Sequence, residues 1–232
     1  MRSSGRMLPI LTLLACSLSA TFLPTRTQAE DHASRPEETE WTWEVRPEHV
    51  NTNLPNVLLV GDSITRNYYP EIRRQLSEVA NVYLFATSAS VGDPRLLRQL
   101  DEFSTMESIS FNVVHFNNGM HGWIYSEAEY KVAFPSLLSK LHEIAPNASL
   151  IWATITPVKL EDKPGPTNAR IDARNSIAQS ILESAGIKVD DQHALMSHHA
   201  DQYEDKVHFN SAGAVIQGQQ AAQVIRSALI KK

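Results

Sequence analysis

Cysteine is almost absent: Cys16 is the only one in 232 residues. No disulfide framework can be built from it, and no Cys-based metal site. Excess positive charge is lacking too. Lys and Arg number 21 against 26 Asp and Glu, a net charge of −5, and no basic stripe interrupts the acidic balance. Nucleic acid is therefore excluded as an expected partner. There is no internal repeat and no low-complexity tract, and aromatics are modest at 7%. No apolar run reaches the roughly 20 residues of a membrane span. What remains is an ordinary globular composition, 42% apolar and 20% charged, of a length that suits one domain with a sizeable core.

The first 29 residues stand apart. Arg2 and Arg6 precede an uncharged apolar run from Leu8 to Leu23, and Thr27-Gln28-Ala29 follows with a small residue at its end. This is the layout of an export signal, so residues 1–29 are expected to be removed and the protein to be exported, periplasmic or secreted. Loss of the signal's three arginines would take the net charge from −5 to −8. Leu13-Leu14-Ala15-Cys16 offers an alternative, a lipid anchor on Cys16. Either way no stable membrane span is expected in the mature form. Residues 30–54 are polar, acidic and proline-dotted, a linker or a strap across the surface with Trp41 and Trp43 tacking it down.

From residue 55 to 232 the pattern is regular. Short apolar runs at Val57–Val60, Val82–Phe85, Val113–Phe116, Leu150–Ile155 and Ile187–Val189 read as buried strands. Helical spacing separates them at 69–79, 94–103, 127–144 and 169–184, and 211–230 closes the chain. Five strands alternating with helices imply right-handed crossovers and a mostly parallel sheet covered on both faces, an α/β fold. Functional groups gather at the carboxyl ends of such strands. The first three strands are followed there by Gly61-Asp62-Ser63, by Ser88 to Asp93 and by Asn117 to Gly122. A fourth polar cluster, Asp205-Lys206-Val207-His208, precedes the last helix.

Ser63 sits between a strand and a helix, where a nucleophile is held rigidly and its own N–H faces the site. A serine hydroxyl needs an adjacent base. Asp205 and His208, three apart, can supply one: the carboxylate fixes the imidazole tautomer and leaves the other nitrogen to take the serine proton. The competing readings are structural, with Asp62 and Ser63 as a helix N-cap and Asp205–His208 as a surface pair. Acyl transfer also needs donors for an oxyanion. The Ser63 N–H, the Gly92 N–H and a side chain from His121 or Asn118 are the candidates. Asn117-Asn118-Gly119 is also a plain turn signal.

Gly61-Asp62-Ser63-Ile64, Gly92-Asp93, Gly119-Met120-His121 and Asp205-Lys206-Val207-His208-Phe209-Asn210 together resemble the blocks of the SGNH hydrolases, or GDSL-type esterases. The resemblance spans about residues 55–230. It implies a flavodoxin-like three-layer α/β/α sandwich and ester hydrolysis without metal or other cofactor. Ser63 matches the nucleophile and first oxyanion donor, Gly92 the second donor, and Asp205 and His208 the rest of the triad. The third block departs from the family's Gly-x-Asn-Asp, because His121 stands where the asparagine belongs. An imidazole N–H can still donate. The expected substrate is a small-molecule or polysaccharide ester, and a short-chain or carbohydrate O-acetyl ester fits export. An O-acyltransferase, or a silent carbohydrate-binding module of the same fold, are the alternatives. The oligomeric state is left open. His193, His198 and His199 lack a convincing ligand partner. Arg170 and Arg174 are expected on a solvated helix face, or near the site as carboxylate binders. Trp123 is either a rim aromatic or packing.

Overall fold

A computed structural model describes residues 33–230 together with Met1. The expected export signal and Cys16 lie outside the described residues. The chain runs β1 (Thr42–Val45), β2 (Asn56–Gly61), α1 (Ser63–Leu76), β3 (Asn81–Thr87), α2 (Pro94–Glu107), β4 (Val113–Phe116), α3 (Glu127–Ile144), β5 (Ser149–Ala153), α4 (Asn168–Ala185), β6 (Lys188–Asp190), α5 (Gln192–Ser197) and α6 (Ser211–Leu229). The strands form one sheet in the order β1-β3-β2-β4-β5-β6. Five are parallel, as the alternating pattern predicts; β1 adds a sixth, antiparallel to β3 at the edge.

The sheet is buried on both faces because its central strands carry apolar side chains on both. Val57 and Leu59 of β2 join Ile72 and Leu76 of α1 and Ala221 and Ile225 of α6 in one core. Leu58 and Val60 join Leu96 and Phe103 of α2, Phe134 and Leu141 of α3 and Leu182 of α4 in the other. Each fully buried leucine is worth about 2 kcal/mol relative to exposure. Three layers follow, with α1 and α6 on one face and α2, α3 and α4 on the other. Among the described residues no helix is long and apolar enough to cross a membrane.

One expectation is corrected. The first helix starts at Ser63, not Tyr69, because the Asp62 side chain caps it by accepting the Ile64 N–H at 2.9 Å. Within the expected linker or strap, residues 42–45 form a strand. Thr42 and Glu44 pair with Thr87 and Phe85 of β3. Register then aligns the carboxyl ends that matter: Val60 lies beside Phe85 on one side and Phe116 on the other.

Candidate active site

The first turn of α1 presents Ser63 at the carboxyl end of the central strand β2. Its Oγ lies 2.7 Å from His208 Nε2. His208 Nδ1 lies 2.8 Å from Asp205 Oδ2. A carboxylate only accepts, so Nδ1 carries the proton and Nε2 offers its lone pair to the serine O–H. The other Asp205 oxygen accepts the N–H groups of Val207 at 2.8 Å and His208 at 2.7 Å. Burial works against its charge, but these donors and His208 prevail and hold the carboxyl at about 2. The loop itself is pinned: Tyr203 stacks on Phe209 at 4.3 Å and donates to the Pro157 carbonyl at 2.7 Å.

Two backbone donors of the motif blocks are unspent. Among the described residues neither the Ser63 nor the Gly92 backbone N–H has a hydrogen-bond partner. Gly92 is packed so closely that a Cβ there would lie 2.6 Å from the Tyr125 ring. Asn118 is placed differently from the expected donor. Its Oδ1 accepts from Val91 N–H at 2.8 Å and its Nδ2 donates to Ala89 O at 2.9 Å, so the amide bolts the third-block loop to the second. Asn117 likewise donates to Ala153 O at 2.7 Å, across to β5. Both polar atoms of Asn118 are thus engaged, whereas His121 keeps a ring nitrogen without a protein partner among the described residues. Its Nδ1 pairs with Glu37 Oε2 at 2.8 Å and its Nε2 has no protein partner among the described residues. Its ring meets Trp41 edge-on at 5.9 Å between centroids. Burial of the ring opposes protonation, yet Glu37, Asp62 and Glu40 outweigh it and raise the His121 pKa.

Among the described residues no three His, Cys, Asp or Glu side chains are grouped to hold a metal ion. His193 faces Asp172 at 3.3 Å.

A family model for GDSL-like lipases and acylhydrolases matches residues 59–216. The chain belongs to that family. No curated protein sequence matches it. Solved structures share the fold at low identity. A G-D-S-L lipolytic protein from Veillonella parvula is 15% identical with a TM-score of 0.59, over 74% of this chain and 98% of its own. A carbohydrate esterase of family 3 from Talaromyces cellulolyticus is 15% identical with a TM-score of 0.61, over 77% and 100%. An acetylxylan esterase from Geobacillus stearothermophilus is 17% identical with a TM-score of 0.59, over 74% and 94%. This GDSL-like acylhydrolase is accordingly a hydrolase acting on ester bonds.

Two residues at the hydrolase's site escape a reading of its motifs. One is Glu37, whose Oε1 also accepts the Gly122 N–H at 2.7 Å. The other is Arg174 of α4, which the sequence placed among solvated or substrate-binding arginines. It is 1% exposed. Its guanidinium donates to the carbonyls of Gly119 at 2.8 Å, His121 at 2.9 Å, and Gly122 and Tyr125 at 3.1 Å. It also stacks on Trp123 at 4.1 Å, an indole that is partly buried against the core. Burial draws its pKa down to about 10. Arg170 adds bonds to the Trp123 and Tyr125 carbonyls and an ion pair with Glu127. The two arginines shape the loop that carries His121.

Proposed function

We propose that this acylhydrolase is an exported serine esterase that works through an acyl-enzyme. His208 Nε2 takes the Ser63 proton as Oγ attacks the ester carbonyl, and Asp205 stabilises the imidazolium that results. The Ser63 N–H, the Gly92 N–H and His121 Nε2–H receive the oxyanion. The imidazolium then protonates the departing alcohol. Water enters, gives its proton to His208, and releases the acid by the same route.

The observation that carries this reading is the continuous relay from Ser63 Oγ through His208 to Asp205, at 2.7 and 2.8 Å. Carbohydrate O-acetyl groups are the proposed substrates. Support comes from fold neighbours named as carbohydrate and acetylxylan esterases and from Trp43, half exposed on the strap beside Trp41. Export rests on the charge and hydropathy pattern of residues 1–29.

The protein is incubated with p-nitrophenyl acetate and, separately, with a serine-reactive fluorophosphonate. Turnover and a label on Ser63 are expected, both lost in Ser63→Ala. Absence of turnover together with an unlabelled Ser63 in the wild type rejects the esterase reading. An acyl-enzyme burst that turns over only when a sugar is added makes the protein a transferase.

A further inference from the structure

His121 brings an imidazole to the proposed oxyanion hole, and its protonation chemistry differs from that of an amide. An amide N–H donates unconditionally. A neutral imidazole carries one proton, and its position depends on what the ring faces. Here Nδ1 faces a carboxylate oxygen at 2.8 Å. That oxygen accepts only, so the Nδ1 proton is committed to Glu37. In a neutral ring Nε2 would then be a bare lone pair, repelling an oxyanion. Nε2 donates only if the ring is doubly protonated.

The surroundings favour that state. Glu37 is itself fixed, because its second oxygen holds the Gly122 N–H at 2.7 Å. Glu40, on the same strap, adds negative charge and is anchored by Arg95 and by Ser88. Asp62, the cap at the head of α1 and the neighbour of Ser63, adds more. Trp41 meets the ring edge-on, and Arg66 of α1 lies over the Trp41 ring at 5.3 Å. From α4, Arg174 meets only the backbone carbonyl of His121. Three carboxylates, Glu37, Asp62 and Glu40, thus outweigh the burial that opposes the ring's charge.

We infer that Glu37 is a positioning residue for ester turnover, holding His121 as an imidazolium whose Nε2–H completes the oxyanion hole. The site then contains two His–carboxylate pairs with opposite duties. Asp205 orients a neutral histidine to accept a proton. Glu37 orients a charged one to donate a hydrogen bond and keep its protons. No proton is transferred at His121: the ring's positive charge faces Glu37 on one side and the developing oxyanion on the other, while the serine proton resides on His208. Such a charge-assisted donor is stronger than a neutral amide. The N-terminal strap is thereby part of the active site and not a cover over it.

This inference rests on the esterase reading of Ser63, and the experiment separates the two. In Glu37→Gln the side-chain oxygen keeps the Gly122 N–H, while the new amide N–H points at His121 Nδ1. The ring becomes neutral with its proton on Nε2, so donor geometry survives and charge is lost. Kinetics with p-nitrophenyl acetate should show kcat about 10-fold lower with KM within about twofold, less than the loss of a whole donor. In a His121→Asn background the amide needs no carboxylate, and adding Glu37→Gln should cost nothing further. Ring-nitrogen NMR of the histidines reads the same point without activity: the His121 midpoint should fall by about one pH unit or more in Glu37→Gln. An unchanged midpoint overturns the inference, as does an equal kcat loss in both backgrounds, which marks a strap held for stability alone. A wild type that neither turns over nor labels at Ser63 overturns the esterase reading instead, and the NMR result still decides Glu37.

Discussion

Gly92 shows how little tolerance the site has at the level of one atom. A methyl group at that position would meet Tyr125 Cγ at 2.6 Å. Tyr125 cannot yield freely, since its hydroxyl contacts Asp93 and accepts from the Arg35 backbone, and the Arg35 guanidinium covers its ring at 3.9 Å. The backbone must move instead, and with it the Gly92 N–H. Gly92→Ala should therefore lower kcat about 10-fold or more while the Ser63–His208–Asp205 relay stays intact. Steady-state kinetics beside fluorophosphonate labelling would show this, and an unchanged kcat would remove Gly92 from the oxyanion hole. Such a residue is legible in a sequence because its chemistry travels with a short motif. Ser63 follows its strand directly, and Asp205 and His208 sit one turn apart. Glu37 gives no such signal. Its partner His121 is 84 residues away, and an acidic residue in an acidic, proline-dotted stretch looks like solvated chain until the sheet brings the two together.

At the scale of the element, α4 acts as a clamp on the loop between β4 and α3. Ile171, Arg174, Ala178 and Leu182 are its buried residues, at spacings of three, four and four. An arginine on that apolar stripe was the available signal that it points inward, and attention to charge alone hid it. Buried arginine is tolerated because four carbonyls and two aromatic faces replace its water. Arg174→Met keeps the volume but orphans those carbonyls, two of which belong to Gly119 and His121. The expected loss of stability is about 3 kcal/mol, seen as a lower denaturation midpoint, with kcat reduced at temperatures where the protein remains folded. Arg170→Ala, at the partly exposed rim, should cost about 1 kcal/mol or less. Equal losses for the two would mean that the loop holds itself. Gly122, at φ +69° with Ser90 Oγ 2.1 Å from where a Cβ would be, closes the same loop.

For the whole molecule, the five parallel strands and the five long helices from residue 56 onward follow from periodicity because a sheet covered on both faces demands continuous apolar runs, while the short α5 and the first turns of α1 do not. Strand β1 does not announce itself. Thr42-Trp43-Glu44-Val45 is mostly exposed, so burial leaves no mark on its composition and only the pairing with β3 identifies it. That pairing covers a strand whose seven residues are all buried. A chain begun at residue 55 would leave the β3 edge open as well as removing Glu37 and Glu40. Compared with a chain begun at residue 33, it should melt lower and associate through that edge, which light scattering during a thermal ramp would register. Matching midpoints and scattering would show that the strap is dispensable to the fold.

The relay and the His121–Glu37 pair draw on segments far apart in the chain, with Glu37 and His208 separated by 171 positions. Glu37 lies among the first residues the structure describes, while His208 precedes the final helix. During synthesis, therefore, no partial chain can hold both histidine–carboxylate pairs until His208 has emerged. A cut that releases Glu37 should weaken ester turnover, and one that releases His208 should abolish it. Full turnover therefore reports that both residues have reached their places in the fold.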